Sequence, residues 1–100
     1  MKTSKDTAPV RPLFHCGRVQ ITFKAIAALE AANVNAVLLL ARHINGDWGD
    51  IHKSERRHNE RAVHTGARLI SNYSIEPGKA IWIVTEADRS TTTLMLPEEL

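Results

Sequence analysis

Arg42-His43-Ile44-Asn45-Gly46-Asp47-Trp48-Gly49-Asp50 gathers two glycines, two aspartates, a histidine and a tryptophan into nine residues. Glycine enters turn geometries that other residues resist, so a loop of this composition is shaped rather than random. His43 is the chain's best general-base candidate, and Arg42 beside it can pair with a phosphate oxygen. A histidine here can equally serve the last carbonyls and the dipole of a preceding helix. Trp48 is either a core plug or a contact residue on one wall of a site.

A second group lies along Arg56-Arg57-His58-Asn59-Glu60-Arg61 and His64. On a helix Arg57 and Arg61 are i,i+4 neighbours, and His64 continues their side as a stripe able to face a ligand. Glu60 is placed to pair with Arg56 or Arg57 and mute that stripe. The third group is Glu86-Ala87-Asp88-Arg89-Ser90-Thr91-Thr92-Thr93. Arg89 there is able to clamp a phosphate, with Ser90, Thr91 or Thr92 bonding it and Ser71 and Tyr73 joining from a neighbouring strand. The plain alternative is a tight turn in which Asp and Ser bond their own backbone.

Metal-free RNA cleavage needs a base for the 2′-hydroxyl, a cation for the phosphate and an acid for the leaving oxygen. His43, Arg68 or Arg89, and Glu86 or His64 meet that inventory, with Thr92 beside them, if the fold makes them converge. No cofactor or metal is expected. HExxH, CxxC and a glycine-rich phosphate loop are all absent, and His52, His58 and His64 are spaced six apart rather than i,i+4.

The elements that must position these groups follow from periodicity. Residues 1–13 are polar, contain Pro9 and Pro12, and are expected as a flexible tail; residues 14–100 form a single domain. From Gly17 to Phe23, Val19, Ile21 and Phe23 alternate with Arg18, Gln20 and Thr22, as in a half-buried strand. Lys24–Ala32 is alanine-rich and helical, with Asn33 a stop and Asn35 a cap for a second helix. That second helix, Ala36–His43, is so apolar that it is expected deeply buried and antiparallel to the first. A third, basic helix starts at Asp50 or His52 and runs to His64, with Gly66 its stop. Ala67–Tyr73 alternates, Pro77-Gly78 marks a type II turn, Lys79–Thr85 is an apolar central strand, and Thr91–Leu96 ends at Pro97. The order β-α-α-α-β-β-β predicts an α+β domain, helices on a four-stranded antiparallel sheet.

One hundred residues suffice for one modest core. Cys16 is the only cysteine, so neither an intrachain disulfide nor a cysteine-rich zinc site is available. No apolar run approaches membrane-spanning length, and a cytoplasmic protein with no membrane partner is expected. The net charge is only +2, yet Lys53, Arg56, Arg57, Arg61 and Arg68 fall together. Such a surface attracts phosphates or an acidic protein, or is simply a solvated helix face.

The segments RHINGDWGD, GARLISNY and WIVTEADRSTTTLMLPEEL together resemble a family of small proteins encoded on bacterial plasmids, prophages and mobile islands. The likeness spans about Gly17 to Leu100. It includes His43, Gly46, Asp47, Trp48, Gly49, Asn59, Gly66, Arg68, Ser71, Tyr73, Trp82, Thr85, Glu86, Asp88, Arg89, Thr92, Thr93, Pro97 and Glu98. His52, Lys53, Ser54 and Leu100 depart from a pattern with a more acidic third-helix start and an aromatic last residue. The resemblance implies the fold and the importance of the loop, not an activity. The topology is also similar to metal-independent RNases such as barnase, RelE-like toxins and the colicin E5 and D nucleases, an analogy that carries no chemistry by itself.

Three functions follow as expectations. The first is a small metal-independent ribonuclease. The second is a binding or inhibitor protein docking on a host or defence protein through Trp48 and the charged loops. The third is a nucleic-acid-binding module using Arg56, Arg57 and Arg61. The oligomeric state stays open, although an unpaired strand edge would support a dimer.

Overall fold

The computed structural model describes residues 12–100. The tail expected over residues 1–13 therefore falls outside the described residues as far as Arg11. Leu13 already belongs to the domain, its N–H donating to the Ile44 carbonyl at 2.9 Å.

The chain runs β1 (Arg18–Ile21), α1 (Phe23–Ala32), α2 (Ala36–Ile44), α3 (Lys53–Thr65), β2 (Leu69–Glu76), β3 (Lys79–Thr85), β4 (Thr91–Met95) and a final 3-10 turn (Pro97–Glu99). This is the expected α+β order, with three helices packed against a four-stranded sheet. The sheet is mixed, in the order β1-β4-β3-β2, because β1 lies parallel to β4 instead of antiparallel. Hairpins force β2, β3 and β4 to alternate in direction. β1 is joined to them through three helices, and a long helical crossover is what a parallel pair requires.

Short polar side chains set the helix ends. The Thr22 hydroxyl accepts from the Ala25 N–H at 3.0 Å and starts α1; Asn33, at φ +56, ends it. Asn35 Oδ1 accepts from the Val37 N–H at 2.8 Å and starts α2. This Asn33-Val34-Asn35 corner turns the two helix axes by 107°, so they are not the expected antiparallel pair. Nor is α2 deeply buried. It touches the core mainly through Leu39 and His43, one turn apart, while Val37 and Leu38 are exposed. A nine-residue helix lying on a sheet can bury only one stripe. α3 begins after His52, whose N–H donates to the Glu55 carboxylate at 3.0 Å, and ends at Gly66, φ +81.

Alternation assigns the sheet's faces. Leu69, Ser71 and Tyr73 of β2, Ile81, Ile83 and Thr85 of β3, and Thr92 and Leu94 of β4 point at the helices and are all buried. One apolar cluster joins Ala25, Leu29 and Leu39 to Tyr73, Ile81, Ile83 and Leu94; a second joins Phe14, Trp48, Ala62 and Leu69. Ile70, Asn72, Trp82, Thr93 and Met95 belong to the opposite face, away from α1 and α2. Contrary to the half-buried strand expected, β1 has four exposed residues and is shorter than Gly17–Phe23. Among the described residues it is an edge strand with a single neighbour, β4.

Among the described residues no single helix is long and apolar enough to cross a membrane.

Candidate functional site

The polar residues singled out in the loop and the strands meet beneath α2. His43 projects from its last turn into the helix-covered face of the sheet and is 0% exposed. Its Nδ1 lies 2.6 Å from Ser71 Oγ and its Nε2 lies 2.9 Å from Thr85 Oγ1. Thr85 Oγ1 in turn lies 2.7 Å from Thr92 Oγ1, and the Thr92 hydroxyl donates to the Cys16 carbonyl at 2.7 Å. The direction of every proton follows from that last bond, because a carbonyl can only accept. Thr92 gives its proton to Cys16, so Thr85 must give its own to Thr92. His43 Nε2–H therefore donates to Thr85, and Nδ1 is the bare nitrogen that accepts from Ser71. The result is a one-way chain, Ser71 to His43 to Thr85 to Thr92 to Cys16.

Burial pushes the imidazole pKa down to about 4, helped by the positive charge of Arg89. The ring is walled by Phe14, centroids 5.2 Å apart and edge-on, and by Trp48 at 5.7 Å, also edge-on. Every ring nitrogen is engaged and no part of the ring reaches solvent. The chain is thus a satisfied polar joint that fixes α2 to β2, β3 and β4.

Four further candidates serve the same region. Trp48, 4% exposed, stacks on Phe14 with centroids 6.2 Å apart and is a core plug. Tyr73 is buried and donates its hydroxyl to the Asp47 carbonyl at 2.6 Å; desolvation lifts its pKa to about 12. Arg89, itself in the left-handed region at φ +62, donates to the carbonyls of Ala67 at 2.7 Å, Glu86 at 3.1 Å and Ala62 at 2.7 Å. Its guanidinium is a clasp on the last turn of α3, where a cation also suits the helix dipole. Arg42 pairs with Asp47 at 2.7 Å and lies over the Tyr73 ring, 4.6 Å from its centroid. That pairing holds the Asp47 carboxyl below its ordinary pKa.

The remaining candidates lie elsewhere. Glu86 and Ser90 are exposed in the β3–β4 turn, where Asp88 Oδ1 accepts from the Ser90 N–H at 2.9 Å. Arg57, Arg61 and His64 are exposed on α3. Arg68 does line a groove, of about 580 Å³, formed between α3 and the face of the sheet away from α1 and α2. Asp50, Ile51, His52, Glu55, His58 and Trp82 are among its other walls. His58 Nε2–H donates to the Arg68 carbonyl at 3.2 Å, which leaves its Nδ1 bare in the neutral ring.

The only ion pair among the described residues is Arg42–Asp47. Lys53, Arg56, Arg57 and Arg61 are exposed on α3, which lines the groove through Glu55, His58 and Asn59 instead, and Glu60 forms no salt bridge with them. No ion pair therefore ties Glu60 to the stripe.

Sequence reasoning missed Thr85, His52, His58 and Trp82 as site residues. Thr85 was accessible from the alternation that puts Ile81 and Ile83 on the core face. The six-residue spacing of the two groove histidines argues only against a shared metal-binding face, and the groove they line is made by a helix and a sheet together. Among the described residues no three histidine, cysteine or acidic side chains are grouped to hold a metal ion. Comparison with protein-family models, characterised proteins and solved structures gives no match for this chain.

Proposed function

We propose that the protein binds single-stranded nucleic acid, RNA in the first instance, along α3 and the groove beside it. The observation that supports this is the run of four exposed cations, Lys53, Arg56, Arg57 and Arg61, none of them in a salt bridge among the described residues. Phosphates are the chemistry such a stripe attracts. Trp82, partly buried in the adjoining groove, offers a π-face on which a splayed base can stack, and His58 and Arg68 flank it. A duplex keeps its bases inside, so the groove favours a single strand. The protein-docking alternative takes Trp48 and the charged loops as its contacts, and the Trp48 indole is inside the core.

Fluorescence anisotropy with a labelled RNA of about 12 nucleotides tests the reading, within the site sizes of small single-strand binders. Charge reversal of Arg56, Arg57 and Arg61 to Glu is expected to abolish binding at moderate salt. The three arginines neutralised singly to Gln are each expected to lower the salt slope by about 0.7. No binding at low salt, or binding indifferent to charge reversal, overturns it. A DNA strand of the same sequence in parallel tells whether the sugar is read.

One observation favours cleavage as a second reading. His52, His58, Glu55 and Arg68 line the same groove and supply a base, an acid and a cation without metal. Bound RNA left intact through prolonged incubation in EDTA removes that reading and leaves the first.

A further inference from the structure

The two edges of the sheet are treated differently. Along β2 the outward backbone groups are met one after another. The Asn59 amide donates to the Ile70 carbonyl at 2.9 Å and accepts from the Ile70 N–H at 3.4 Å. The Asn72 N–H donates to the Trp48 carbonyl at 3.0 Å, and the Asn72 carbonyl accepts from the Asp50 N–H at 2.7 Å. The Ser74 hydroxyl reaches the Asp50 carboxylate at 3.1 Å. A helix side chain and the shaped loop thus close this edge.

β1 forms the other edge. The Arg18 N–H donates to the Ser90 carbonyl at 2.9 Å and the Thr22 N–H to the Leu94 carbonyl at 3.1 Å. In a parallel ladder the backbone groups of residues 18, 20 and 22 then face β4, and those of Val19 and Ile21 face outward. Val19 and Ile21 are exposed, and so are Phe23, at 90%, and Ile26 in the helix that follows. No lysine or proline lies in the strand to blunt the edge.

We infer that β1 is the interface with a second copy of this chain, joined antiparallel about a two-fold axis through Gln20. That register sets Val19 opposite the partner strand's Ile21, and the outward groups of both then exchange four backbone hydrogen bonds. Arg18 falls opposite a threonine, so no like charges meet across the junction. Val19, Ile21, Phe23 and Ile26 together expose roughly 400 Å², half of the ~800 Å² per partner in a standard interface, before the rest of the strand is counted. A second copy fits better than a foreign strand because both the hydrogen-bond pattern and the apolar flank are self-complementary. The junction is of a size for a reversible dimer.

Sedimentation equilibrium on the full chain over a range of concentrations, with amide hydrogen exchange at the same concentrations, tests this. The expected result is a concentration-dependent dimer in which the Val19 and Ile21 amides become protected on association. Ile21→Pro removes an outward N–H while leaving the ladder to β4 intact, and is expected to give a folded monomer. Should that variant fail to fold, Phe23→Glu serves in its place and is expected to weaken the dimer at least tenfold. A monomer up to hundreds of micromolar overturns the inference. So does a dimer whose Val19 and Ile21 amides exchange freely, or one that persists in the folded variants.

Discussion

On the helix-covered face of the sheet, Ser71, His43, Thr85 and Thr92 direct their donors at one another and at the Cys16 carbonyl. On α3, Lys53, Arg56, Arg57 and Arg61 are exposed and form no salt bridge among the described residues. Residue types alone favour the first set as the reactive one, since it has a histidine, hydroxyls and a nearby arginine. Burial reverses the assignment. A histidine with both nitrogens engaged and a pKa near 4 stays neutral and holds elements together. Surface cations lacking partners remain available to a polyanion. The covered face should therefore answer to measurements of stability, and the groove side to measurements of binding.

His43→Ala should produce the largest effect on the covered face. It leaves Ser71 without its acceptor and Thr85 without its donor around a new cavity, for a loss of about 4 kcal/mol in urea unfolding. RNA binding by the fraction still folded should be unchanged. A loss of binding in a variant of normal stability would break the division of labour between the faces.

Acid comes next. The folded pKa of His43, about 4, lies below its ordinary 6.5, so the unfolded chain takes up the proton first. This contribution to stability is fully present above about pH 6.5 and is lost as the pH falls toward 4, for a total of about 3 kcal/mol. The decline measured by denaturant titration across that window should be shallower in a folded His43→Gln variant. Equal slopes would remove His43 as its source.

Arg89→Met keeps an unbranched apolar stem but abandons three carbonyls on and beside the end of α3. A cost of about 2 kcal/mol is expected, with faster exchange of the Gly66 amide. Across the sheet, Trp82→Ala should weaken RNA binding by about 1.5 kcal/mol, roughly tenfold, without altering its salt slope. Weakest of all should be Arg42→Ala. Its ion pair with Asp47 is about half exposed, and the change in stability should stay under about 1 kcal/mol.

Much of the fold is legible from alternation and punctuation. Leu69, Ser71 and Tyr73 sit on one face as their spacing requires, and Pro77-Gly78 makes a two-residue corner with Gly78 at φ +76. Asn33 and Asn35 mark helix ends because their side chains or left-handed geometry supply what a helix terminus lacks. The direction and neighbour of β1 are not legible, since a period of two specifies faces but not partners. The same limit hid the polar chain. His43, Ser71, Thr85 and Thr92 each carry a plausible chemical role in isolation, and only the packing of α2 on three strands reveals that they satisfy one another. Trp82 reads as one more apolar residue in a central strand until the face it occupies is known. Gly49 is the opposite case. At φ +77 it lies so near the Asn72 carbonyl that a Cβ would collide with it, which gives the unusual loop a geometric reason.

The parallel pairing of β1 with β4 also has a meaning in time. The Cys16 carbonyl and the Thr92 hydroxyl it receives are 76 residues apart, whereas β2, β3 and β4 meet through short turns. The meander has little loop entropy to overcome, and the N-terminal strand has a great deal. As the chain leaves the ribosome, β1 emerges first yet cannot be seated until β4 follows. The earliest of these four strands in chain order is thus the last to dock, and the polar chain under α2 is completed only once β4 is in place.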